Sequence, residues 1–166
     1  MSYAETILPE FDQEMASTRK VLERIPDDKL GWKAHPKSNT IGWNANHVAD
    51  IPNWLAMVLS QPSLDIAPVG GEPYPFPSLT TTREILDLFD RNVAAARKAI
   101  AAADDEQMGQ SWTLLQAGQT LFTMPRSAVV RSMILNHLMH HRAHIIVYLR
   151  LNDIPVPGMY GPSGDE

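Results

Sequence analysis

Four stretches of the chain place apolar residues at spacings of three and four, and less regular segments, one of them rich in proline, separate them. Such spacing lines one face of an α-helix, so it constrains the fold more than any other feature of the sequence. The first helix is expected over Ser2 to Ile25. Its stripe is Ile7, Phe11, Met15, Thr18 and Leu22, Ser2 with Glu5 makes a capping-box pattern, and Pro26 ends it. Asp27 to Thr40 reads as a connection from which Leu30 and Trp32 pack back onto the helices. The second helix is expected over Ile41 to Leu59, capped by Asn39 or Thr40. Within it Pro52 has no N–H to give the Val48 carbonyl, so a kink is expected there.

Gln61 to Ser78 carries five prolines and Gly70-Gly71, which excludes helix interior. Tyr74 and Phe76 within it predict an ordered loop, because both rings gain from burial. The third helix is expected over Thr81 to Ala103, with Thr81 and Glu84 as a capping box and Ile85, Leu88, Phe89, Val93, Ala96 and Ile100 as its stripe. Asp104 to Met124 shows no convincing period and reads as loop with one short helical turn. The fourth helix is expected from Pro125, a residue favoured in a first turn, to Asn152, before a tail rich in proline and glycine. No run alternates like a strand. The expected fold is an all-α four-helix bundle, a single domain over residues 1–166. The short first connection favours antiparallel neighbours, and the longer proline-rich one can cross the bundle end.

Composition narrows the functional classes. Fourteen Lys+Arg against nineteen Asp+Glu give a net charge of −5, which argues against a nucleic-acid partner. Cysteine is absent, so no disulfide scaffold, cysteine nucleophile, iron–sulfur cluster or thiolate zinc site can form. A cysteine-free chain fits a reducing compartment, and a cytoplasmic location is expected. Met1 to Glu5 lacks the pattern of a signal peptide, and no apolar run approaches the roughly 20 residues that span a membrane.

The six histidines are the chemical oddity, since four of them fall between His137 and His144. On an ideal helix with His137 at 0°, His141 lies at about 40°, His144 at about −20° and His140 at about −60°. Val130, Met133 and Ile134 precede them on that side, and Ile145 and Tyr148 follow. The imidazoles thus continue an apolar stripe toward the core. A buried imidazole needs a hydrogen bond or a metal, because an unpartnered buried polar group costs about 1–3 kcal/mol. His137 and His141, one turn apart, can grip one side of a divalent ion, zinc or nickel being suited to imidazole. A third ligand must come from another helix, and His47 is the candidate. His35, in a loop beside Pro36, is a poor one. His140 and His144 are expected as neighbouring donors, a surface pair or interface residues. Asp50 could orient a ligand imidazole or be a plain surface acid. Arg142 could cap a neighbouring acid or bind substrate. The plain alternative is a set of core histidines satisfied by hydrogen bonds alone.

Asn136-His137-Leu138-Met139-His140-His141-Arg142, then Tyr148-Leu149-Arg150-Leu151, resembles the last-helix signature of the DinB-like superfamily. Ile41-Gly42-Trp43 leading to His47 resembles its second-helix pattern, and Pro155 to Ser163 its tail. The resemblance implies a four-helix bundle, a metal held by His47, His137 and His141, and a homodimer. His144 departs from the family, where a small residue or glutamine is common. Family members resemble thiol-dependent S-transferases or metal-dependent hydrolases. The expected function is therefore a metal-dependent transferase or hydrolase in stress or detoxification, acting on a small molecule, with a low-molecular-weight thiol as one class. No catalytic residue is assigned, although His140, His144 and Tyr148 are nearby groups able to move protons. The alternative is a non-catalytic, metal-stabilised dimeric binding protein.

Overall fold

The computed structural model describes residues 2–166. Helix α1 spans Tyr3–Leu22, and its capping box forms as expected: Ser2 accepts from the Glu5 N–H while Glu5 accepts from the Ser2 N–H. Helix α2 spans Ile41–Ser60, with Thr40 as the cap through the Trp43 N–H, and it runs unbroken through Pro52. Helix α3 spans Thr82–Ala102. Only half of its expected box forms, because Thr81 accepts from the Glu84 N–H but turns its hydroxyl to the Glu84 carboxylate.

Helix α2 is buried around almost its whole circumference, which suits its predominantly apolar sequence. It packs on α3 and on the last helix, and α1 packs on the same two. Consecutive helices α1 and α2 are therefore diagonal rather than antiparallel neighbours, contrary to expectation. The proline-rich connection does not merely cross the bundle end. It returns along the bundle, so that Thr82 at the start of α3 bonds Asp27 and Ile25, just past the end of α1. Helices α2 and α3 consequently run parallel.

The stretch expected as loop, Asp104 to Met124, is a correction to the all-α reading. It holds helix α4 (Asp105–Gly109) and strands β2 (Ser111–Gln116) and β3 (Gln119–Pro125), paired antiparallel. A third strand, β1 (Ser63–Asp65), emerges from the proline-rich loop and pairs parallel with β2. Positive φ at Ala117 (52°) and Gly118 (75°) gives the tight hairpin turn the twist its strands need. Asp65 pins that turn by accepting from the Ala117 and Gly118 N–H groups. The inward residues Trp112 and Leu114 join Val58 and Val129 in a small second core under the bundle.

The last helical run starts one residue after Pro125. It comprises α5 (Arg126–Val129), a π-helical stretch (Val130–Asn136) and α6 (His137–Arg150). Buried Arg126 donates to the carbonyls of Val58 and Gln61, tying the end of α2 to this start. In the π stretch Ser132 donates its hydroxyl to the Ala128 carbonyl, competing for an acceptor one turn back. Further along, Arg142 forms a buried ion pair with Glu14 of α1 at 2.8 Å, with side chains only 3% and 7% exposed. The Arg142 guanidinium also donates to Thr18 and to Tyr160 of the tail, whose hydroxyl in turn donates to Glu14. Of the two roles open to Arg142 in the sequence, the structure selects the cap on an acid. Glu14→Ala strands that cation in the core and is expected to lower the unfolding free energy by about 3–5 kcal/mol in urea titrations. A loss below about 1 kcal/mol would show that the pair does not hold α1 to α6.

Candidate metal centre

Helices α2 and α6 run antiparallel, which sets His47 opposite the first turn of α6. His137 and His141, one turn apart there, turn the same face to it. The His47 and His137 Nε2 atoms stand 3.2 Å apart, and those of His137 and His141 3.0 Å. Ligand atoms of all three lie within 4.8 Å of one another, so the separated histidines converge as the sequence anticipates. His47 and His141 are buried and His137 is half-buried.

Hydrogen bonds among the three rings cannot satisfy all of these nitrogens. Asn44, one turn before His47, donates its amide to the Thr40 carbonyl at 2.8 Å. Its oxygen must therefore face His141 Nδ1, which it meets at 2.9 Å. That bond places the His141 proton on Nδ1 and leaves Nε2 as a bare lone pair. His137 Nε2 meets two neighbours but can carry one proton or one lone pair. Only one of the two nitrogen contacts can then be a hydrogen bond. In addition, His47 Nδ1 and His137 Nδ1 are both buried without a hydrogen-bond partner. A divalent cation satisfies all three Nε2 lone pairs at once. Two imidazole nitrogens bound tetrahedrally at about 2.0–2.1 Å from zinc stand about 3.3 Å apart, close to the spacing seen here.

Electrostatics keep these groups in the form a metal requires. Burial, reinforced by His137, pushes His47 down to about 4. Burial, then the surrounding imidazoles, pushes His141 down to about 3. Burial also lowers His137, opposed in part by the Met133 carbonyl. All three are therefore neutral donors at pH 7.

Around the triad, Trp43 lies tilted over His47 with centroids 4.9 Å apart, and Trp54 meets it edge-on at 5.8 Å. Phe76 stays more than half exposed at the mouth of a ≈ 30 Å³ pocket shared with Trp43, His47 and Pro77, so only Tyr74 of the two loop aromatics gains real burial. Asp50 touches no imidazole. It accepts from Trp54 Nε1 and from the Tyr74 hydroxyl, both at 3.0 Å, and so fixes the aromatic wall and the proline-rich loop. Burial raises its carboxyl, against the opposing hydrogen bonds. The residue the sequence reading missed is Asn44. Its signal was an asparagine on a helix face otherwise apolar, one turn from His47. His35 is exposed, its ring accepting from the Lys37 N–H. His140 is exposed and His144 half-buried; both border a cleft of ≈ 300 Å³ with His141, Asn44, Lys37 and Asn39.

The sequence profile of the DinB superfamily matches residues 10–145, a span that contains the whole triad. The chain belongs to the DinB superfamily. A Bacillus subtilis relative, the uncharacterized protein YrdA, is 27% identical over 161 residues, covering 96% of this DinB-superfamily chain and 89% of YrdA. A solved DinB-like protein from Bacillus cereus superposes with a TM-score of 0.70 at 24% identity, covering 94% of this chain and 97% of that one. YfiT from B. subtilis, described as a probable metal-dependent hydrolase with an unusual four-helix bundle topology, gives 0.67 at 15% identity, covering 90% and 87%. These likenesses support the fold. Among the described residues no helix is long and apolar enough to cross a membrane.

The depressed imidazoles give the chelator-treated protein a defined pH response. Unfolded histidines protonate near 6.5, whereas His47 and His141 stay neutral in the fold down to about 4 and 3. Between those values the unfolded chain binds more protons, so acid favours unfolding. The melting temperature should be highest above pH 6.5 and fall steadily toward pH 4. A flat profile across that window would contradict the burial described here.

Proposed function

We propose that His47, His137 and His141 hold one divalent metal ion, and that the protein is a metal-dependent enzyme acting on a small molecule, with hydrolysis as its reaction. The proton count carries this reading: three converging nitrogens cannot all be satisfied by one another, and a cation satisfies them together. Zinc and nickel suit an all-imidazole donor set. An ion held by three neutral imidazoles keeps its full charge and an open position, and supplies Lewis-acid activation of water or of an external thiol near neutral pH.

The chain's own residues prepare that chemistry. Asn44 holds His141 in the tautomer that presents Nε2 inward. The Trp43, Trp54 and Phe76 rings limit water around His47. Asp50 keeps the wall in place through Trp54 and Tyr74. The adjoining cleft has the size for a small molecule. Hydrolysis is preferred because YfiT, which shares the fold, is described as a probable metal-dependent hydrolase. The chain has no cysteine, so thiol transfer would need a low-molecular-weight thiol as co-substrate.

Zinc- or nickel-loaded protein should be assayed on chromogenic esters and amides, and on a chromogenic electrophile with several small thiols. Turnover is expected on the ester or amide arm. It should vanish with chelator, return on adding metal, and be absent in His137→Ala. Turnover confined to the thiol arm would replace hydrolysis with transfer. No chelator-sensitive turnover on either arm would contradict the enzymatic reading.

A further inference from the structure

A second group of imidazoles lies outside the triad. His140 and His144 sit one turn apart on α6, with ring centroids 4.4 Å apart. Their ligand atoms and one from His141 lie within 4.8 Å of one another. His141 has no nitrogen to spare, since Nδ1 is held by Asn44 and Nε2 faces the triad. His140 and His144 are differently placed: no hydrogen bond among the described residues occupies their ring nitrogens. We propose that these two residues form a second divalent-metal site, separate from the triad, that takes a late first-row transition ion at the mouth of the ≈ 300 Å³ cleft.

The geometry favours that ion class. Residues four apart on a helix project side by side, so two imidazoles can reach one ion without backbone movement. Imidazole nitrogen suits nickel, copper and zinc, whereas calcium and magnesium want oxygen ligands that this group lacks. Half of the site is already rigid. The His144 ring stacks on Tyr148 at 12° between planes, and Trp32 meets Tyr148 edge-on at 5.4 Å. His140 is exposed and His144 half-buried, so an ion loses little hydration on arrival. Two protein ligands leave the remaining positions directed to the cleft, where water or an oxygen or nitrogen donor of a small molecule can take them. Lys37 and Asn39 line the same cleft. With two ligands against three, this site binds more weakly than the triad.

This inference does not rest on the triad's holding a metal, and one experiment separates the two. Chelator-stripped protein is titrated with nickel by calorimetry, as wild type, as His140→Ala/His144→Gln, and as His47→Ala. Wild type is expected to bind a tight and a weaker equivalent, at least about tenfold apart. The double substitution should remove the weaker equivalent alone, and His47→Ala the tighter one alone. Glutamine at 144 keeps a polar side chain of similar reach while removing the imidazole, and circular dichroism checks the fold. Should the double variant unfold, His140→Gln at its exposed position must weaken the same equivalent. If the single bound equivalent proves sensitive to 140 and 144 but not to 47, the triad reading fails and this one stands. If no nickel equivalent responds to substitution at 140 and 144, the second site is overturned.

Discussion

Three imidazole nitrogens, with successive contacts of 3.2 and 3.0 Å in a mostly buried pocket, pose a problem that neutral histidines cannot solve alone, since only one of the two contacts can be a hydrogen bond. The antiparallel contact between α2 and α6 imposes this arrangement, and the rest of the molecule keeps that contact in place. Helix α2 is apolar almost all round, so it can sit at the centre of the bundle only with α3, α6 and the sheet about it. Burial in turn keeps the histidines neutral. The same packing therefore generates the incompatibility and preserves the donors that would resolve it.

The supporting structure divides between the two helices. On α2, Asn44 sets the His141 tautomer and Asp50 anchors the aromatic wall, so residues one turn either side of His47 organise the site without meeting its ring. On the last helical run, the π stretch ends where His137 begins, and i→i+5 bonding there resets the facing of the turns that follow. The buried Arg142–Glu14 pair then fixes α6 against α1, one residue beyond His141. Both flanks of the site are thus held by polar contacts that a purely apolar bundle would lack.

Much of this was legible in the residues. The three-and-four spacing located all the long helices, Ser2 and Glu5 marked a start, and the i,i+4 pair of His137 and His141 pointed inward as expected. The hairpin was not legible. Its strands are six and seven residues long, a bulge between Leu114 and Leu115 breaks their register, and Ala117 occupies a turn position that usually advertises itself with glycine or asparagine. The diagonal placement of α1 and α2 was hidden because loop length constrains distance and not which neighbour is chosen. Neither role expected of Asp50 is the one it plays, for a similar reason: it is buried, so it is no surface acid, and it orients no imidazole. Spacing put it near His47, but its partners come from Trp54 one turn on and from Tyr74 in a loop 24 residues away.

The decisive question is whether His47 and His137, 90 positions apart, share one ion. X-ray absorption at the zinc edge, on protein carrying one equivalent of zinc, counts those ligands directly. Three imidazole nitrogens at about 2.0–2.1 Å are predicted for the wild type, falling to two or to loss of zinc in His47→Ala. A shell made of oxygen ligands, or a spectrum unchanged by that substitution, would contradict it.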